Sequence, residues 1–367
     1  METSDYLCGR KFLFMKRLIL ILLAFSLLYS CKDYRQEKCV VEGNRYSQNF
    51  GIVATDDGYD VTLTRNNRVL HLSREKSDSA IQIPIRSAVC FSTTHTAFIS
   101  QLGEASSITG LSGTEYVCDP VVVKMIRDGK IKEIGYDKQL DMERIISLKP
   151  DVVFAYGIDN ESISGFQKLE RIGIPIVIVD DYLEPRPLGR TEWMKFFGCF
   201  YDKLELAEHY FDSVENRYNE IKAMPTDKSP KVLVSLPWKG TWWVPGGNSF
   251  FANFVKEAGG QYVFDNESTE SLPYSIEQVF LMASDAEVWL NTNEKTKRSQ
   301  ILDVDSRLEN LAPYKNARIY NNNKITSEYG GSDFWESGIV HPDIILQDLR
   351  KIFTEDDDSL HYYRRLE

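Results

Sequence analysis

Two stretches of this chain repeat one arrangement of apolar and polar positions: a short amphipathic helix, a break, then a continuous apolar run. In Leu140–Gly157 (LDMERIISLKPDVVFAYG), Leu140, Ile145, Ile146 and Leu148 supply an apolar face while Asp141, Glu143 and Arg144 point to water. Pro150 cannot continue a helix and biases Lys149 toward extended backbone, so the helix ends there. Val152–Tyr156 then runs apolar throughout, as a parallel strand covered on both faces does. Ser275–Leu290 (SIEQVFLMASDAEVWL) follows the same plan, with an early glutamate, an aspartate and an apolar strand. The repetition predicts two similar lobes.

Between residues 46 and 85 the pattern alternates, with Val61–Thr64 and Val69–Leu72 as strands and turn residues at Gly58 and Asn66–Asn67. Hairpins at the edge of the first lobe are expected, with His71 on their surface. A strand at Ala88–Phe91 leads through Ser92-Thr93-Thr94-His95 into a helix over 96–102. Strands at 108–111, 152–156 and 175–180 alternate with helices at 121–127 and 162–172, which argues a parallel sheet with helices on both faces. Thr191–Met224 is the longest helical stretch, a spine between the lobes with Trp193, Phe196, Phe197, Phe200 and Tyr210 on its apolar face. Lys231–Ser235 opens the second lobe and runs into a tryptophan-dense loop, 237–247. A helix over 250–258, a late strand at 318–320, a turn at Asn321–Asn323 and a helix over 343–353 complete it, and the charged end from Glu355 is expected to fray. The expected boundaries are a leader at 1–30, a tether at 31–45, the first lobe at 46–185, the linking helix at 186–228, the second lobe at 229–355 and a tail at 356–367.

Composition changes the picture mainly by exclusion. With 43% hydrophobic and 12% aromatic residues, the chain of 367 can bury two cores. A net charge of −11 argues against nucleic acid as a partner, because phosphate neutralisation needs a basic face. The N-terminus is special. Met15-Lys16-Arg17 is a charged region ahead of the apolar Leu18–Leu28, which is of signal-peptide length. Leu28-Tyr29-Ser30-Cys31 resembles the bacterial lipobox, in which the cysteine is lipid-modified and begins the mature protein. Residues 1–14 fit no such signal, and Met15 is the more natural start. Cys39, Cys90, Cys118 and Cys199 remain; export permits disulfides, and the pairing stays open. No C-x-x-C spacing suggests zinc or redox chemistry.

Several motifs in order resemble one family. They are Phe91–Thr96 (FSTTHT), Met142–Asp151 (MERIISLKPD), Val255–Phe264 (VKEAGGQYVF), Ser275–Gln278 (SIEQ) and Ser332–Trp335 (SDFW). Together they look like the helical-backbone, class III substrate-binding lipoproteins of ABC importers, the type that carries cobalamin, ferric siderophores or haem. The resemblance implies an α/β fold of two Rossmann-like lobes with parallel sheets, joined by one long α-helix, with the ligand in the cleft between them. It implies a monomer that is not an enzyme and is lipid-anchored through Cys31 on the periplasmic side of the envelope. Its partner would be a permease dimer with its ATPase, docked through one surface glutamate per lobe, Glu143 and Glu277. Each lies in the first turn of its helix, where the macrodipole alone would also favour it.

The same resemblance places Thr93, Thr94, His95, Tyr116, Tyr156, Trp242, Trp243, Tyr274, Phe334 and Trp335 at the cleft. Aromatic walls with a few polar groups suit a large, flat, partly apolar ligand such as a metal chelate, with no separate cofactor. Of Trp238, Trp242 and Trp243, at least one is expected in the cleft and one packed in the core. His95 is a candidate axial ligand for haem. A bare-ion receptor of the same superfamily is the neighbouring alternative, but only His95 and His341 fall near cleft positions, too few for a zinc site. Arginines to grip an anion are not obvious; Arg86, Arg186 and Arg190 lie near element ends. The competing class is a periplasmic lipoprotein enzyme, such as a carbohydrate hydrolase with tryptophan platforms and two carboxylates.

Overall fold

The computed structural model describes residues 44–135, 140–157, 160–354 and 359–367. The leader, Cys31 and Cys39 lie outside them.

Alternating burial builds the first sheet. Strands β1 (Phe50–Ala54), β2 (Gly58–Leu63) and β3 (Arg68–Ser73) are antiparallel, and a short β4 (Ile81–Gln82) runs parallel to β3. Phe50, Val61, Leu63, Leu70 and Leu72 turn to the core. His71 faces water and meets Asp60 at 2.7 Å, as expected of a surface residue.

The first lobe follows as β5 (Ala88–Cys90), α1 (Thr93–Gln101), β6 (Ile108–Leu111), α2 (Pro120–Arg127), β7 (Lys132–Glu133), α3 (Met142–Leu148), β8 (Val152–Ala155), α4 (Asn160–Arg171) and β9 (Ile176–Ile178). All five strands are parallel, in the order β7-β6-β5-β8-β9. Every residue of β8 is buried, because helices cover both faces of the sheet. Phe98 and Phe197 pack against one face; Ile145, Phe166 and Leu169 pack against the other. The Asp141 side chain caps α3 by accepting from the Arg144 N–H, and Lys149 ends it in a left-handed conformation at φ 47°.

The linking segment is jointed. Helices α5 (Pro187–Thr191), α6 (Trp193–Phe200) and α7 (Leu204–Ala223) replace the uninterrupted stretch expected from the pattern. Asp202 sits at φ 54° in the break, where its carboxylate accepts from Arg74 Nε and Nη2 at 2.8 and 2.6 Å. The fold therefore selects the joint by anchoring it to the first sheet. Gly198 allows α6 and α7 to close on each other: a Cβ there would lie 2.8 Å from the Ala207 Cβ. Helix α7, of 20 residues, is the long helix that joins the lobes.

The second lobe contains β10 (Lys231–Val234), β11 (Thr241–Val244), α8 (Phe250–Glu257), β12 (Gln261–Tyr262), β13 (Leu272–Ser275), α9 (Ile276–Met282), β14 (Val288–Leu290), α10 (Ala312–Lys315), β15 (Ile319–Asn321), α11 (Pro342–Thr354) and β16 (Arg364–Arg365). Its sheet runs β12-β10-β14-β15-β16, parallel except for β16. Ser275 and Gln278 form a capping box at the start of α9. Arg217 on α7 donates to Asp343 on α11 at 2.7 Å, which ties the joining helix to this lobe.

The end of the chain corrects the fraying tail. Residues 359–367 pack into the lobe, with Leu360, Tyr362, Tyr363 and Leu366 buried and β16 added to the sheet. The Asp348 carboxylate accepts from the N–H groups of His361, Tyr362 and Tyr363, fixing the segment in place. No disulfide joins the described cysteines: Cys90, Cys118 and Cys199 are free, the first and last buried.

Candidate functional site: the cleft between the lobes

In an open parallel sheet, the loops leaving the carboxyl ends of the strands surround the crevice where ligands bind. Both lobes turn those ends toward each other. From the first come Phe91, Ser92 and Thr93 after β5, Ser112, Gly113 and Tyr116 after β6, and Tyr156 after β8. From the second come Ser235 after β10, Asn291 and Asn293 after β14, and Asn322 and Asn323 after β15. The cavity they enclose is about 650 Å³. An adjoining recess of about 450 Å³ shares Pro245, Phe251 and Trp335 with it, so Trp335 stands between the two chambers.

The second lobe contributes an amide-rich floor. Asn291 and Asn293 adopt φ 57° and 56°, a left-handed conformation that asparagine tolerates better than most residues. Asn321 Nδ2 donates to the carbonyls of Asn293 and Lys295 at 2.6 and 2.7 Å, binding the two strand-end loops together. Asn323 Nδ2 donates to the Lys295 carbonyl at 3.1 Å, while its buried Oδ1 has no partner among the described residues.

One side of the cleft is closed by direct contact between the lobes. Gly331 lies so close to the Tyr116 backbone that a Cβ would fall 1.9 Å from its carbonyl oxygen. The Ser327 hydroxyl donates to the Glu115 carbonyl at 2.8 Å. The buried Glu336 carboxylate accepts the N–H of Cys118 at 2.6 Å and of Asp119 at 3.1 Å. Burial pushes the Glu336 carboxyl up to about 7, and those two N–H donors only partly offset it. Cys118, Asp333 and Glu336 bring potential metal-ligating atoms within 4.8 Å of one another. Burial raises the Cys118 thiol to about 12, and the Glu336 and Asp333 carboxylates beside it add to the rise. The Glu336 oxygens are already engaged, so the geometry is that of a latch between lobes.

Four of the expected site residues line the cavity: Thr93, Tyr116, Tyr156 and Trp335. The other six do not. Helix α1 starts at Thr93, earlier than expected, so His95 falls in its first turn and points into the core. There it lies between the rings of Phe154 and Phe197, at 6.4 and 5.9 Å, out of reach of any iron in the cleft. Desolvation outweighs a contact with the Phe154 backbone and lowers its imidazole to about 3, keeping it neutral. Thr94 turns to Ser92 and Asp181. In β11 the side chains alternate: Trp242 is sealed in the core with Nε1 donating to the Val234 carbonyl at 3.0 Å, whereas Trp243 stands half exposed. Tyr274, opposite Trp242 in register, packs on Phe264, and Phe334 is buried against Tyr362 and Tyr363. Trp238, 63% exposed, is also outside the cavity, so none of the three clustered tryptophans lines it. His341 is likewise elsewhere, with Nδ1 3.1 Å from the Tyr210 hydroxyl.

The missed residues had a signal. Asn291 and Asn321–Asn323 each follow a buried apolar strand at once, the position from which a parallel lobe presents its ligand groups. Asn321–Asn323 were legible as a turn but not as a floor.

The sequence profile of the periplasmic binding protein family matches residues 89–325, which takes in most of both lobes and the joining helix. This chain belongs to the periplasmic binding protein family. An uncharacterized lipoprotein of Methanocaldococcus jannaschii is 29% identical over 286 residues, covering 74% of this chain and 66% of the relative, so the chain spans just under two thirds of it. Among solved structures, a possible iron-binding, periplasmic solute-binding protein of Staphylococcus epidermidis superposes with a TM-score of 0.57 at 19% identity, covering 73% of this chain and 98% of its own. A periplasmic heme binding protein of Pseudomonas aeruginosa gives 0.59 at 16% identity, covering 77% and 98%. At such identities the structures establish a shared architecture: class III lobes, joining helix and interlobe cleft. This periplasmic binding protein has the fold and family of non-catalytic solute binders, and the enzyme reading has no support in either.

Proposed function

We propose that this periplasmic binding protein captures a metal chelate or corrinoid (a ferric siderophore, haem or cobalamin) and delivers it to the permease dimer of an ABC importer. The observation that carries the reading is the interlobe cavity of about 650 Å³, whose Tyr116, Tyr156 and Trp335 face an amide floor. Its volume lies within the range of pockets that bury compact organic ligands, roughly 300–1,000 Å³. Thr93 at the start of α1 and the three aromatics are the proposed contacts. Of the proposed docking residues, Glu143 is exposed in the first turn of α3. Glu277, in the first turn of α9, is exposed and shares Arg307 at 2.9 Å. A lipid on Cys31 would hold the protein at the outer face of the membrane.

Thermal-shift and tryptophan-fluorescence titration of the full-length chain in detergent, against haem, cyanocobalamin and ferric chelates, tests this. A true ligand at about 100-fold its Kd stabilises the fold by about 2.7 kcal/mol. Saturable, stoichiometric binding without turnover is expected. Turnover of a bound compound, or no shift with any chelate, would overturn the reading.

A further inference from the structure

The cleft is poor in charge. Among the described residues its lining carries one carboxylate, Glu294, and one guanidinium, Arg364. Glu294 is already paired with Lys295 Nζ at 2.7 Å. Arg364 donates from Nη2 to the Thr296 carbonyl oxygen at 3.0 Å and has no carboxylate partner among the described residues. A neutral carbonyl orients the guanidinium without neutralising it.

Arg364 is also held in place. It sits opposite Asn321 across the β15–β16 pair, beside the amide floor, on the segment that Asp348 fixes through three N–H groups. Its neighbour Arg365 turns away and lies over the Tyr320 ring at 5.1 Å. The contrast with Arg190, in the adjoining recess, is informative. Arg190 donates to the carbonyls of Glu184 and Tyr182, lies 3.7 Å from the Phe250 ring centroid, and sits in the field of Asp181 and Glu184. Its charge is balanced within the protein. That of Arg364 is open to the cavity.

A guanidinium presents a planar fork of donors that matches a carboxylate in two parallel hydrogen bonds, and such charge-assisted bonds strengthen where water is partly excluded. We propose that Arg364 is the anion anchor of the cleft, gripping a carboxylate of the bound ligand and so selecting carboxylate-bearing chelates over neutral ones. The chelate half of this statement rests on the function proposed above; the anchor half rests on Arg364 alone. Residues 359–367 lie outside the span matched by the family profile, so the anchor comes from a part of the chain that the profile does not describe.

The test titrates the full-length chain and its R364Q, R364K and R365Q variants, by tryptophan fluorescence, with ferric citrate, haem, metal-free citrate, and the carboxylate-free chelates ferrichrome and cyanocobalamin. R364Q should weaken a carboxylate-bearing chelate about tenfold or more, the loss of a charged hydrogen-bonded pair. R364K should fall between, since it keeps charge without the fork, and R365Q should match the parent. Thermal unfolding of each variant separates lost binding from lost fold, and R364K carries the comparison if R364Q does not fold. Binding of only ferrichrome or cyanocobalamin, or equal weakening of charged and neutral chelates by R364Q, overturns the anchor and leaves the chelate function standing. Binding of metal-free citrate alone, dependent on Arg364, upholds the anchor and overturns the chelate function. No binding of any probe overturns both.

Discussion

Two tryptophans of this protein face opposite environments, and their substitutions should behave accordingly. Trp242 fills the second core beside Trp289, at 5.8 Å between rings, whereas Trp335 is 48% exposed between the two chambers of the cleft. W242A should cost about 3–5 kcal/mol of stability through the cavity it leaves. W335A should change stability by less than about 1 kcal/mol while weakening binding of the proposed chelate, because it removes a wall and not a core. Urea denaturation with parallel titrations distinguishes the two. His95 makes a different prediction. Its imidazole is lowered to about 3 in the fold against 6.5 in the unfolded chain, so the native state binds fewer protons between those values. The stability it contributes is present above pH 6.5 and is lost as pH falls toward 3. H95L should flatten that acid slope and leave chelate affinity unchanged; a loss of affinity would return His95 to the cleft.

At the scale of elements, the contact between the Tyr116–Asp119 loop and the Gly331–Glu336 turn sets the spacing of the lobes. The Glu336 carboxyl faces Asp333 and Asp119, which raise it further, and the Cys118 and Asp119 amides, which lower it. Its folded value of about 7 exceeds the ordinary 4.5, so the native state holds the extra proton between them. The contribution is full below pH 4.5 and is lost as pH rises through 7. Wild type should therefore lose stability relative to E336Q over that window, measured by urea midpoints from pH 4.5 to 8. A difference that is constant with pH would mean that Glu336 stays ionised. G331A meets the Tyr116 carbonyl and should push the lobes apart, lowering chelate affinity while each core stays intact. Equal affinity in G331A would show that the contact does not set the cleft.

For the whole molecule, the proposed task separates capture from delivery. Glu143 and Glu277 lie in the first turns of corresponding helices, one per lobe, and neither lines the cavity. Reversing both to arginine should leave chelate affinity within about twofold and abolish uptake in cells, since surface charges far from a site change it little. Lost affinity in the purified double variant would tell against docking. Arg307 makes the two positions unequal: E277R also places two cations together and should be the less stable single variant.

Helix–break–strand periodicity in Leu140–Gly157 and Ser275–Leu290 was enough to determine two parallel lobes, because burial on both faces of a sheet leaves a run of apolar residues that nothing else explains. It also put Glu143 and Glu277 in the first turns of their helices and Tyr156 at the end of its strand, while the cleft position of Tyr116 came with the family resemblance. Four other decisions belonged to the tertiary structure. The joint at Asp202 depends on Arg74, far away in sequence. The burial of His95 and Trp242 depends on which turn of a helix and which face of a ribbon meets the core. The packing of Leu360–Leu366 depends on Asp348 accepting three backbone N–H groups. The place of Arg364 at the cleft depends on the register of β16 against β15. Local pattern fixes which residues are apolar and in what period, but the facing of a single side chain is settled by long-range contacts that the pattern does not encode.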